Sequence, residues 1–356
     1  MKKKNKLKFW SILFKVILFL LLFVVGAFSI WVMFAAAEHK KLLAKEEQYM
    51  TPPGQMVQIE GNDIHVMRQG AEDGTHTIVY LHSNKTVDDS IAVQPLFDEL
   101  QDNELIYVDR SGYGFSGYKD TSKDITSILE ETRQAVKAVS KNDKYVLMAS
   151  KTGGIIAFYW AITYPEEVEA VIGLEMYLPE QYIELPDDEY VKFYDKLAIK
   201  LVSWGAHRKA AGSTPVDDFG IYTDLQMKTR AAIIAKSLYT EGMYEEDGML
   251  VKNAKSVYEM GWPEDVPMYL IYGNPFMEPY LHLSDESMQI EAEVSAQGEE
   301  YDCEEAYNYY YRDVLASHKN VVMEELSGPE RIIIFQPDVL AEKVQNYLKK
   351  LNENKN

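Results

Sequence analysis

Apolar and polar positions change period several times along this chain, and each change marks an element. Val16–Ala37 is an unbroken run of 22 uncharged residues rich in Leu, Phe, Val and Ile. As a helix it covers about 33 Å, enough for a hydrocarbon core of about 30 Å. Gln55–Ile59 and Ile64–Arg68 alternate around Gly61-Asn62-Asp63, which predicts a β-hairpin. Thr77–Leu81 is a continuous apolar run, the pattern of a buried parallel strand, and Leu105–Val108, Val146–Met148 and Val168–Leu174 repeat it. Ile125, Ile128, Leu129, Thr132, Val136 and Val139 recur at helical spacing over Ile125–Val139. Strands at Met268–Tyr272 and Val321–Met323 and a helix over Val339–Leu351 finish the chain.

Strand and helix alternate, so the expected class is α/β: a mainly parallel central sheet with helices on both faces. One N-terminal transmembrane helix precedes it. An aromatic-rich helical stretch, about 178–262, interrupts the alternation after the sixth strand. It is expected to cap the carboxyl ends of the strands, where open α/β sheets bind ligands. The expected organisation is a basic flank (1–8), a membrane anchor (9–37), a polar tether (38–54) ending in Thr51-Pro52-Pro53-Gly54, and a globular domain (55–351). Lysines crowd the N-terminal side of the apolar run, which places residues 1–8 in the cytoplasm and the globular part outside the cell membrane. Ala35-Ala36-Ala37 also fits a signal-cleavage pattern, but the run exceeds the usual apolar length of about 7–15 residues, so an uncleaved single-pass anchor is expected.

Charge narrows the partners. The chain carries a net −20, and residues 1–37 hold six lysines and no acid. The remainder therefore has 30 basic against 56 acidic side chains, a net of −26. Nucleic acid is excluded as a partner, because phosphate binding needs a basic surface. Cys303 is the only cysteine, so no intrachain disulfide and no multi-cysteine zinc site can form. No phosphate-binding loop or EF-hand spacing is present, so no cofactor or metal is expected.

The chemistry concentrates at Ala149-Ser150-Lys151-Thr152-Gly153-Gly154, between a strand pattern and a helix pattern. A strand, a sharp turn and a helix with small residues at the turn have the shape of a nucleophile elbow, G-x-S-x-G, with the nucleophile at the apex. Ala149 and Gly153 fit the small positions, which puts Lys151 at the apex. Taking Ser150 instead would flank the apex with Met148 and Thr152, which are bulky for a close turn.

Four segments in order resemble the α/β-hydrolases. They are Tyr80-Leu81-His82-Ser83, Val108-Asp109-Arg110-Ser111-Gly112-Tyr113-Gly114-Phe115-Ser116, the elbow with its helix through Tyr164-Pro165-Glu166-Glu167-Val168, and Gln336-Pro337-Asp338. The resemblance covers roughly residues 55–351. It implies a nucleophile–acid–histidine order along the chain. The acid is expected at Phe276, with Glu278 nearby and Glu175 at the end of the sixth strand as an alternative. The histidine is expected at Glu330. Backbone N–H groups of Ser83 and Thr152 are expected to form the oxyanion site, with His82, Lys151 and Glu330 in the pocket. An ammonium and a carboxylate at those two positions are expected to pair, because a lone buried charge costs several kcal/mol.

Two readings follow. In the first, the protein is a membrane-anchored hydrolase-fold pseudoenzyme that binds a small molecule or partner protein at the capped pocket. In the second, it is an active hydrolase of ester, amide or peptide-like substrates, using Ser150, Glu278 or Glu175, and His282 or His318.

Overall fold

The computed structural model describes residues 2–185, 193–209, 215, 220–274, 315–327 and 332–353. Its strands are β1 (Gln55–Ile59), β2 (Asn62–Gly70), β3 (Thr77–Leu81), β4 (Glu104–Val108), β5 (Tyr145–Ser150), β6 (Val168–Leu174), β7 (Met268–Asn274) and β8 (Val321–Ser327). They form an eight-stranded sheet in the order β1-β2-β4-β3-β5-β6-β7-β8. β2 runs antiparallel to β1 and β4, and the pairs from β4 through β8 are parallel. The hairpin turn is tighter than expected. Glu60 and Gly61, both with positive φ (52° and 81°), make a two-residue turn, and Asn62 and Asp63 already belong to β2.

Side-chain alternation along the buried strands assigns the two faces. Tyr145, Leu147 and Ala149 of β5 pack with Ile128 and Leu129 of α4 (Ile125–Val139) and with Ile155 and Trp160 of α5 (Gly153–Thr163). Val146 and Met148 face the other way, toward a short α3 (Gln94–Glu99; α2 is Asp89–Ala92) and the C-terminal helix Pro337–Glu353. Asp124 caps α4 by accepting from the Ser127 N–H at 2.9 Å. Between β6 and β7 lie α6 (Phe193–Ser203), α7 (Asp224–Ser237) and α8 (Glu241–Glu259), with 3-10 turns at Pro179–Tyr182 and Ala206–Lys209. They occupy the stretch expected to be a helical cap.

α1 runs unbroken from Lys2 to Glu46, followed by a 3-10 turn over Glu47–Tyr49. It is long and apolar enough to cross a membrane. The polar tether expected over 38–54 is therefore much shorter. His39-Lys-Lys-Leu-Leu-Ala-Lys-Glu46 is rich in helix formers and continues the helix, which gives way before Pro52 and Pro53.

At the amino ends of β3 and β4, Glu104 gathers the sheet's polar contacts. It accepts from Arg68 Nε (2.7 Å), Thr77 Oγ1 (2.8 Å), Ser140 Oγ (2.7 Å) and Asn142 Nδ2 (3.0 Å). Burial pushes its carboxyl up, but the hydrogen bonds from Ser140, Thr77 and Arg68 outweigh this and hold it below its ordinary value. Glu104→Ala strips the acceptor from four donors, so urea unfolding should show a loss of about 3 kcal/mol. A loss under about 0.5 kcal/mol would contradict this account.

Candidate functional site at the strand-to-helix turn

β5 ends at Ser150, and the next residue turns sharply. Lys151 has φ +44°, the left-handed conformation that an L-residue adopts only under constraint. Its N–H reaches the Leu174 carbonyl at 3.3 Å, and its own carbonyl accepts from Gly154 and Tyr177 at 2.9 Å each. Gly153 and Gly154 are required by close approach. A Cβ on Gly153 would lie 2.2 Å from the Leu81 carbonyl oxygen, and one on Gly154 2.4 Å from that of Tyr177. The apex of the turn is Lys151, whose ammonium stands 5.8 Å from the centre of the Tyr177 ring.

Ser150, the residue before the apex, is buried beside the buried Tyr80 phenol. Glu175, also buried and with φ +51°, follows β6 and donates its N–H to the Ile271 carbonyl at 2.8 Å. Tyr80 is raised by burial first and then by Asp89, with Glu175 contributing.

The turn after β3 meets the apex through side chains. Ser83 Oγ and Thr152 Oγ1 are 3.0 Å apart. The N–H directed at Thr152 belongs to Asn84, which donates to Thr152 Oγ1 at 2.7 Å. Besides the backbone donors expected of Ser83 and Thr152, their hydroxyls meet, and Asn84 supplies a further N–H that reaches the turn. The sequence carried no signal for this, because the donor depends on how far the loop advances before it bends.

His82 is buried and held from both sides. Its Nδ1 donates to the Ser83 carbonyl at 2.7 Å, and its Nε2 accepts from the Arg110 N–H at 3.4 Å. Burial, and then the nearby Arg110 charge, drive it well below the ordinary imidazole value, so it is neutral. Arg110 in turn donates to the His82 carbonyl at 2.9 Å and to both oxygens of Glu246, at 2.6 and 3.2 Å. Burial alone would lower the Arg110 guanidinium, and Glu246 more than offsets it. Adjacent acids on α8 tie down the same loops. Asp247 accepts from Asn84 Nδ2 at 2.9 Å and pairs with Lys85 at 2.8 Å, while Glu245 accepts from Tyr118 at 2.9 Å. Sequence reasoning missed Glu246, which has no local motif to mark it.

Asp89 is a second residue the sequence reading missed. Burial first, and then Asp88, push its carboxyl up to about 7, against a hydrogen bond from Thr86. Phe276, Glu278, His282 and Glu330 lie outside the described residues, and with them the expected Lys151–Glu330 pair.

No protein-family model matches the chain. The uncharacterized protein YbdG of Bacillus subtilis (strain 168) is 24% identical over 321 residues, covering 88% of this chain and 91% of its own. Among solved structures, a candidate lipase of Acinetobacter baumannii AYE aligns with a TM-score of 0.59 at 16% identity, over 89% of this chain and 97% of its own. A mutant of a candidate epoxide hydrolase from Pseudomonas aeruginosa aligns with a TM-score of 0.58 at 12% identity, over 84% and 96%. A haloalkane dehalogenase loop variant from Bradyrhizobium elkanii gives 0.50 at 13%, over 85% and 98%. The chain has the α/β-hydrolase fold.

In an α/β-hydrolase fold the reacting groups gather at the carboxyl ends of the parallel strands. The described histidines other than His82 are engaged elsewhere. His318 stacks on Trp262 (3.6 Å between ring centres) ahead of β7 and β8, at the amino ends of the strands. Val321 is in register with Met268, and Ser150, through Leu174, with Ile271, so about 10 Å of strand alone separates the two levels. His65 lies 2.8 Å from Asp109 in the core, His76 is 2.8 Å from Glu169, and His39 and His207 contact each other (5.4 Å) beside α1.

Two measurements check the site. Glu246→Ala leaves a buried guanidinium without its counter-charge, and unfolding should register a loss of about 3–5 kcal/mol; an unchanged midpoint would contradict the pairing. Asp89 should titrate by carboxyl NMR with a midpoint at about 7. Since its folded value lies above its unfolded one, its stabilisation is complete below the ordinary carboxylate range and is lost as pH rises through about 7. Asp89→Asn should remove that slope, whereas a midpoint at the ordinary carboxylate value would overturn the assignment.

Proposed function

We propose that this chain is a membrane-anchored, extracytoplasmic α/β-hydrolase-fold protein that binds a ligand or partner at the elbow and lacks Ser-His-Asp hydrolysis. One observation carries the reading. The residue in the left-handed conformation at the apex is Lys151, so an amine stands where the hydroxyl of a nucleophile would be. Hydrolysis at an elbow needs a nucleophile at the apex and free N–H donors aimed at the developing oxyanion. Here the apex side chain is an amine.

The lysine flank of α1 supports the orientation, with the N-terminus cytoplasmic and the globular domain outside. Net charge supports a ligand other than nucleic acid. The competing reading, an active hydrolase on an ester, amide or peptide-like substrate, needs Ser150 as nucleophile, and that side chain is buried against Tyr80. Its base would be His282 or His318, and the latter stands at the far end of the strands.

The purified full-length protein, treated in detergent with a serine-reactive phosphonate probe, should take up no label. Ser150→Ala and Lys151→Ser should be equally unlabelled, because neither supplies a histidine base. Labelling of the wild type, whether or not Ser150→Ala abolishes it, would overturn the reading.

A further inference from the structure

The end of α1 is fixed to the cap. Arg208, in the 3-10 turn Ala206–Lys209, donates Nε to His39 Nδ1 at 2.7 Å and both terminal nitrogens to Glu46, also at 2.7 Å. The buried His39 ring meets His207 edge-on, and His207 Nε2 donates to the Ala235 carbonyl of α7 at 3.0 Å. Gly205 lets the backbones approach. Its φ is +82°, and a Cβ there would sit 2.6 Å from His39 Cβ. Lys228 of α7 stands over the Tyr49 ring at 5.9 Å.

This contact has a defined depth. His39 is two residues past Ala37, the last of the uncharged run, so the latch lies about 3 Å of helix beyond it. Between α1 and the cap lies a groove of about 300 Å³, lined by apolar Trp31, Phe34, Ala35 and Leu42 of the helix, by Gly205 and Ala206 of the cap, and by Glu38, His39 and Arg208 at its polar end. Trp31 is six residues inside the uncharged run, about 9 Å along the helix. With α1 across a bilayer, the lower part of the groove opens at the level of the lipid glycerol and first methylenes, where water is scarce and tryptophan concentrates.

We infer that the cap is seated on the bilayer surface and that the groove between Trp31, Phe34 and Gly205–Ala206 holds a membrane lipid by its glycerol–acyl end. The acyl end meets the apolar side chains Trp31, Phe34 and Ala35, and the glycerol end faces Glu38, His39 and Arg208. The Arg208 charge is already matched by Glu46, and the globular part has an excess of acid that disfavours anionic headgroups. The inference rests on the reading of α1 as a membrane span and is independent of the elbow's chemistry.

The test uses the full chain with Cys303→Ser, spin-labelled through Ala206→Cys and reconstituted in phosphatidylcholine nanodiscs. Labels through Phe23→Cys (mid-span) and Lys141→Cys (remote surface) serve as controls. The Ala206 label should relax preferentially with dissolved oxygen, like the Phe23 label and unlike the Lys141 label. Arg208→Ala, and separately Arg208→Lys, should cost it that protection while the Phe23 label stays in lipid. A water-exposed Ala206 label beside a lipid-embedded Phe23 label overturns the seating and leaves the span intact. A water-exposed Phe23 label overturns the span itself, and the seating with it.

Discussion

The Arg110 guanidinium is where the parts of this molecule meet. It extends from the carboxyl end of β4, donates to the His82 carbonyl of the turn after β3, and closes on Glu246 of α8. Both charges are almost fully shielded from solvent. Two such charges are tolerated in a low-dielectric interior only when they face each other and their remaining hydrogen-bonding positions are filled. Core loop and cap therefore cannot separate without exposing an uncompensated charge. Gly242 of α8 would strike Tyr118 at 2.9 Å if it bore a Cβ, so the helix also sits down close on the loop that follows β4. α8 is thereby held against the loops that carry Asn84 and Arg110.

The elbow turn is a backbone device. It requires a left-handed residue at the apex, a glycine where the Leu81 carbonyl approaches, and another where Tyr177 crosses. None of these depends on the apex side chain. The chemistry, by contrast, depends on single groups: an apex hydroxyl and an N–H left free for an oxyanion. At the turn after β3, the Thr152 hydroxyl takes the Asn84 N–H and contacts Ser83. A buried donor left open costs free energy, and the Thr152 hydroxyl satisfies this one from within.

Those two layers were not equally legible. β3, β6 and α4 occupy the residues that periodicity assigns to them, because a fully buried strand and a one-faced helix leave their period in the sequence. The apex position was legible because only Ala149 and Gly153 are small enough to flank it. Glu246 was not. A buried acid and a solvated one look alike until the opposing arginine is placed, and its partner lies 136 residues away. The helical end of α1 was misjudged for a related reason. Charged residues over 38–46 fit a solvated tether equally well, and His39 and Glu46 become structural only through Arg208. The Asn84 donor turned on one residue of loop advance, below what a motif can specify.

The contacts also form a continuous path from the apolar helix to the elbow. Met50, just past α1, packs with Ile233 and Ile234 of α7, Met243 of α8, and Val87, Ile91 and Tyr113 of the core loops. The Arg110 guanidinium lies 4.9 Å from the Tyr113 ring centre, and Tyr113 packs edge-on against His82 at 5.0 Å. Each step is a packed or ion-paired contact between buried or partly buried side chains, with no flexible segment in between. A long polar tether would have let the domain tumble beside its anchor, so that the site sampled every direction. The observed path removes that freedom, and the orientation of the elbow follows from the orientation of α1.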